Sequence, residues 1–217
     1  MIKRNVAILI FNDVEVLDFA GPFEVFSVTS ELNNHEPFDV YTVAEKPGAI
    51  STVNGLSVNP KYSFADCPRP DIVIIPGGIG TRAEAGNARV VNWVVACAQH
   101  AEVVLSVCSG ARILARSGLL DGLEATTHHQ VIAELRQLAP TAIVRENVRF
   151  VDNGKVMTAA GISAGIDLSL HVVRKLLGAE TATKTARYME YETGCMAGSV
   201  SVPQDRDRAV SQASSWR

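Results

Sequence analysis

The chain has 217 residues, 47% hydrophobic and 20% charged, with a formal net charge of −3 at pH 7. That length suits one α/β domain with a sizeable core and room for a short appendage. The mild acidity offers no general field for nucleic acid or an anionic membrane, and no apolar run approaches the roughly 18 residues of a membrane span.

Met1-Ile2-Lys3-Arg4 leads straight into a strand-like run, without the apolar stretch and small-residue cleavage site of a signal peptide. A cytoplasmic protein is expected. Val6 to Phe11 is continuously apolar and predicts a strand buried on both faces of a parallel sheet. A loop is expected from Asn12 to Gly21, then a helix opened by Pro22 and running to about Leu32. Asp39 to Ala44 reads as a strand, and Ser51 to Val58, centred on Asn54-Gly55, as a hairpin. Asp71 to Ile75 is another buried strand and ends in Pro76-Gly77-Gly78-Ile79-Gly80. A helix from about Asn87 to His100 precedes a strand at Val103 to Val107, then Cys108-Ser109-Gly110 and a helix to about Ser117. Leu123 to Thr127 predicts a short strand and Gln130 to Leu138 a helix. Ala142–Val144, Val148–Val151 and Lys155–Ala159 suit strands, with a tight turn at Asp152-Asn153-Gly154. Helices are expected at Ile162–Leu177 and Glu180–Tyr191. From Gly194 the composition turns polar, so the chain divides into a domain over 1–193 and a polar, loosely docked tail over 194–217 without strand or helical period. Strands alternating with helices predict a doubly wound, mostly parallel sheet with helices on both faces.

Four cysteines occur, Cys67, Cys97, Cys108 and Cys195, without zinc-ligand spacing, so no metal and no cofactor is expected. Cys108 follows a buried strand at the carboxyl edge, where ligands bind in such sheets, and a helix begins at once. The helix N-terminus is expected to favour the thiolate. Read alone, Cys108 is otherwise a small buried hydrophobe. The Gly77-Gly78 pair ends a neighbouring strand and is expected to offer backbone N–H groups, Gly78 among them, as oxyanion donors, with Ser109 contributing as well. Asp18, in the loop after the first strand, reaches the same edge as an acid/base candidate or as a helix cap. Glu15 and Glu24 are weaker candidates. His128 and His129 follow a short strand and can approach the site, pointing in different directions, with a hydrogen-bonding or structural role expected rather than a metal site and His128 as a possible accessory group, and Asp167 and His171 are expected to pair locally at i, i+4. Cys67 and Cys97 read as core or loop residues, and Cys195 as incidental.

Taken together, the Pro-Gly-Gly and Cys108-Ser109-Gly110 turns resemble the DJ-1/PfpI superfamily, within the class I glutamine-amidotransferase-like fold. Residues 17–26 (LDFAGPFEVF), 125–128 (ATTH) and 158–167 (TAAGISAGID) narrow the resemblance to the subgroup holding isonitrile hydratases and the N-terminal domains of some AraC-type regulators. The resemblance implies a flavodoxin-like sheet, a homodimer, Cys108 as nucleophile and Asp18 as acid/base, converting an isonitrile to an N-formamide through a thioimidate. Ser109 stands where the hydratase has Thr. Ser106 replaces the first glycine of the family's Gly-x-Cys-x-Gly turn and is expected to tighten it. PfpI-type proteases carry His directly after the cysteine, and glutamine amidotransferases carry a downstream His-x-Glu. Here Ser109 and Ile162-Ser163-Ala164 supply no base, so neither activity is expected. The alternative is a small-molecule or redox sensing module. The segment after Tyr191 is expected to be too short for an AraC-type DNA-binding region.

Overall fold

The apolar runs become the inner strands of one sheet. In the computed structural model, which describes residues 3–192 and 200–201, the first six strands are β1 (Arg4–Leu9), β2 (Phe38–Ala44), β3 (Ile50–Ser51), β4 (Ser57–Val58), β5 (Tyr62–Ser63) and β6 (Ile72–Ile75). They are followed by β7 (Val103–Val107), β8 (Glu124–Ala125), β9 (Ile143–Val144), β10 (Phe150–Asp152), β11 (Val156–Ala159) and β12 (Val200–Ser201). The main sheet runs β12-β10-β11-β7-β6-β1-β2-β5. All neighbours are parallel except β10 and β11, which form a hairpin through the predicted Asp152-Asn153-Gly154 turn. Strands β6, β7 and β11 are buried at every position, as a sheet covered on both faces requires.

Among the described residues seven α-helices flank the sheet: α1 (Val16–Glu31), α2 (Thr81–Glu84), α3 (Ala88–His100), α4 (Ala111–Arg116), α5 (Ile132–Leu138), α6 (Ala164–Leu177) and α7 (Ala179–Tyr188). Helices α1, α6 and α7 pack together as one layer, and α4 packs with α2, α3 and α5 as the other. The result is the doubly wound α/β architecture expected. Its parallel strands β2-β1-β6-β7-β11 follow a flavodoxin-like order, with the switch point between β1 and β6.

Four expectations need correction. Helix α1 starts at Val16, six residues before Pro22, because Phe19, Val25 and Phe26 bury one continuous apolar face and override the proline signal. Asp18 therefore sits in a helical first turn rather than a loop. The strand at Leu123–Thr127 shrinks to β8, which pairs with β9 in a separate two-stranded sheet. Asp167 and His171 do not pair: Asp167 accepts from Arg149 Nε at 2.7 Å and from the Tyr191 hydroxyl at 2.8 Å, while His171 Nε2 lies 2.8 Å from Asp152. In the tail, Val200–Ser201 adds an edge strand beside Val151–Asp152. Cys195 and the rest of the tail lie outside the described residues.

Candidate active site

Three segments converge at the carboxyl edge. Asp18 comes from the first turn of α1, Pro76-Gly77-Gly78 follows β6, and Cys108 follows β7. The strand stops at Cys108 because its backbone enters the left-handed region, φ 56°, which is strained for a residue with a side chain. The surroundings hold it there. Its N–H donates to Ala160 O at 2.8 Å, and its carbonyl accepts from Thr127 Oγ1 at 2.6 Å. Gly110 is required behind the turn, since a Cβ there would lie 2.1 Å from Ile75 O. Ser106, expected to tighten this turn, instead lies inside β7, with its hydroxyl buried and unpartnered among the described residues.

Asp18 is fully buried. Gly77 N–H donates to its Oδ2 at 2.9 Å. A Cβ on Gly77 would lie 2.6 Å from the Ser109 nitrogen, 2.7 Å from Asp18 Oδ2 and 2.8 Å from Cys108 Cβ, so glycine lets the three segments close. Asp18 Oδ1 makes no hydrogen bond of ordinary geometry. The Cys108 thiol and Ile162 N–H are close enough to favour the carboxylate, but burial outweighs them and Gly77, and Glu15 adds repulsion. The Asp18 carboxyl is raised to about 7. It is poised to exchange protons near neutrality.

The thiol behaves differently from the sequence expectation. Burial and then the neighbouring Asp18 push Cys108 up to about 12, against the pull of the Ser109 and Ile162 N–H groups. Helix α4 is six residues long and preceded by a 3₁₀ turn, so its N-terminus does not overcome burial. The resting pair is a neutral thiol beside a titratable carboxyl.

The Gly78 N–H does not face a ligand. It donates to Ser109 Oγ at 3.0 Å, and that hydroxyl in turn lies 3.1 Å from Gly78 O. The Ser109 side chain thus ties the Pro-Gly-Gly loop to the elbow, while its backbone N–H faces the sulfur. The second sulfur-facing donor is Ile162, whose backbone is also left-handed at φ 47°. Sequence reading weighed its side chain and missed its N–H. His128 packs its ring over Gly161, where a Cβ would lie 2.4 Å from Cδ2, and its Nδ1 accepts from Gln130 N–H at 3.3 Å. Its pKa is lowered by burial and by His129. Among the described residues no histidine hydrogen-bonds to the thiol. His128, His129, Thr127, Gly161 and Ile162 help line an open cavity of about 340 Å³ that adjoins the elbow without including the sulfur. Glu15 binds the Gly77 carbonyl through its N–H at 3.0 Å, and Glu24 is exposed on α1. Cys97 is buried in the core and Cys67 is half-buried. No group of three or more His, Cys, Asp or Glu side chains among the described residues is placed to hold a metal ion.

A parallel sheet with a strained cysteine at the end of a central strand, backed by a buried carboxyl, defines a cysteine-elbow α/β protein. The chain belongs to the DJ-1/PfpI family, whose sequence model matches residues 4–175. It is 31% identical over 188 residues to an isonitrile hydratase of Pseudomonas putida, covering 86% of this chain and 78% of that protein. It is 23% identical to the HTH-type transcriptional regulator GbdR of Pseudomonas aeruginosa over 87% of this chain but 51% of the regulator. A solved ThiJ/PfpI family protein from Pseudomonas syringae superposes with a TM-score of 0.80 at 29% identity, over 88% of this chain and 76% of that one. No helix among the described residues is long and apolar enough to cross a membrane.

Proposed function

We propose that this protein is an isonitrile hydratase-like lyase, a cytoplasmic homodimer acting on a small molecule, with Cys108 as nucleophile and Asp18 as acid and base. The observation that carries the reading is the buried contact between the Cys108 thiol and an Asp18 carboxyl raised to about 7. A neutral thiol needs a base at the moment of attack, and a carboxyl in this range serves as base and then as acid.

The reaction balances on these two groups. Asp18 takes the thiol proton as sulfur bonds to the terminal isonitrile carbon, then returns it to that carbon, leaving R–N=CH–S–Cys108. Water adds to the same carbon with Asp18 as base. One water proton goes to nitrogen and the other to the departing sulfur as the C–S bond breaks, releasing R–NH–CHO. The Ser109 and Ile162 N–H groups hold the developing thiolate, and Ser109 Oγ orients the loop. The adjoining cavity receives R, with His128 along its wall. Incubation with a simple aliphatic isonitrile, with N-formamide measured by mass spectrometry, tests the reading. Light scattering of the purified chain tests the dimer.

The similarity to a transcriptional regulator over 87% of the chain supports a second reading, a small-molecule or redox sensing module. Isonitriles that raise the melting temperature without yielding formamide would favour it.

A further inference from the structure

The elbow is tied to a charged side chain that touches neither Cys108 nor Asp18. Arg112 lies in α4, directly after the turn, and is 4% exposed. Its Nε and Nη2 donate to Glu134 Oε1 and Oε2 at 2.9 and 2.6 Å, a bidentate pair with α5. Its Nη1 donates inward to Thr81 Oγ1 at 3.0 Å. Thr81 is fully buried and passes the contact on, with its hydroxyl 2.7 Å from Gly78 O and 3.2 Å from Ser109 Oγ. Gly78 N–H donates to Ser109 Oγ, and the adjacent Gly77 N–H donates to Asp18 Oδ2. Hydrogen bonds therefore run from Glu134 at the rim to Gly78, and the Gly77–Gly78 peptide unit joins them to the donor that meets the carboxyl beside the sulfur.

Burying a guanidinium is costly, and a packed apolar side chain would serve α4 at least as well if stability were all that mattered. The bond that reaches inward from Arg112 is made to the segment carrying the Gly77 donor. We propose that Arg112, through Thr81, is a positioning residue that holds the Pro-Gly-Gly loop at the register where Gly77 N–H meets the Asp18 carboxyl. The Glu15 N–H already holds the Gly77 carbonyl at 3.0 Å, and the Thr81 N–H lies 3.2 Å from Gly78 O, so the Arg112–Thr81 contact adds a side-chain tie to a loop whose two glycines are otherwise the most permissive backbone at the site. The inference rests on the Cys108–Asp18 pair of the proposed function, but not on isonitrile turnover.

The charged and titratable groups around the chain are few. Cys108 and Glu15 face Asp18, and Arg82 of α2 lies near Glu134. His128 feels Glu15 from the far side of the site. None of these lies on the Arg112 route, so its removal acts on Asp18 through Gly77. The Gly77 N–H favours the carboxylate. Weakening it moves the Asp18 titration to higher pH.

The test is the rate of Cys108 alkylation by iodoacetamide against pH, read by peptide mapping. In the coupled pair, loss of the first proton creates the reactive monoanion, so the profile of the wild type has an inflection near the Asp18 titration, and Asp18→Asn abolishes it. Arg112→Met is expected to move that inflection up by about one unit, the size of one charge-assisted hydrogen bond, slowing alkylation about tenfold below it. Thr81→Val, which keeps the volume and removes the hydroxyl, is expected to move it the same way. Arg112→Lys is expected to recover part of the shift. A lower melting temperature with an unmoved inflection in Arg112→Met or, if that variant does not fold, in Thr81→Val, would reduce Arg112 to a structural brace and overturn the proposal. A wild type with no Asp18-dependent inflection would overturn both this proposal and the Asp18 role, whereas a normal inflection without formamide release would sink the hydratase reading alone.

Discussion

Two buried aspartates in this molecule meet opposite fates. Asp152, at the end of β10, is 4% exposed, yet it is lowered from its ordinary value: burial raises it, and His171, the Gly154 N–H and Lys175 together outweigh burial. His171 Nε2 lies 2.8 Å away, Gly154 N–H donates at 2.6 Å and Lys175 Nζ at 3.2 Å. Asp18 is given one backbone donor of ordinary geometry, a thiol and a second N–H, and burial wins. The same residue type is a clip in one place and, in the function proposed above, a proton carrier in the other. What differs is the balance: Asp18 is the more deeply buried and has no cation beside it among the described residues, while Asp152 is less deeply buried and is met by His171 and Lys175.

Removing each side chain separates the two roles. Cys108→Ala is expected to abolish N-formamide release, and Asp18→Asn to lower turnover by about 10²-fold or more, in line with general acid–base contributions. Ser109→Ala should cost less, since it loosens the loop without removing a reacting group. Near-full turnover in Asp18→Asn would place the proton donor elsewhere, with Glu15 and His128 next to examine. Asp152→Ala should behave in the opposite sense, losing about 1–3 kcal/mol in urea titration while keeping turnover and Cys108 alkylation. A large loss of turnover there would erase the distinction.

The pH dependence of stability carries the same contrast with its signs reversed. The Asp18 carboxyl titrates near 7 when folded against a reference of 3.8, so its contribution is full below about 3.8 and lost as pH rises through about 7. Asp152 is lowered, so its contribution is present above 3.8 and lost as pH falls through its folded value. Wild type should therefore lose stability relative to Asp18→Asn as pH rises from 3.8 to about 7, with no further loss above that, and lose it relative to Asp152→Asn on acidification. Urea midpoints at both ends check this, and parallel curves for Asp18→Asn would show that its carboxyl does not titrate near neutrality. The smallest effect is expected at Ser106, whose buried hydroxyl lacks a partner. Ser106→Ala should leave stability unchanged or raise it by less than about 1 kcal/mol.

The strands and the elbow were legible because buried parallel strands announce themselves as apolar runs, and Val103–Val107 ends at the same residue in sequence and structure. Asp18 was legible as a candidate by its distance from β1, but not its helical setting, because Pro22 mimics a helix start. The thiol's resting state was misjudged, since burial and the Asp18 charge depend on which segments close over the sulfur. Backbone donors leave little trace in a sequence, which is why Ile162 was weighed for its side chain and Gly78 was assigned a free N–H that Ser109 occupies. Arg112 and Thr81 carry no motif. Their signal is an arginine in the first turn after the elbow, and it acquires meaning once its burial is known.

The hydrogen bond from Cys108 N–H to Ala160 O has a consequence for the order in which the protein is made. Cys108 leaves the ribosome about fifty residues ahead of the carbonyl that fixes its strained backbone, and at roughly 5–20 residues per second that interval lasts several seconds. Until β11 joins β7, the sulfur is on an unfinished sheet edge, without the Ile162 donor and without cover from solvent. The nascent chain thus passes through a stage in which this thiol lacks its finished surroundings, and synthesis under oxidative stress is expected to expose the newest molecules more than the finished ones.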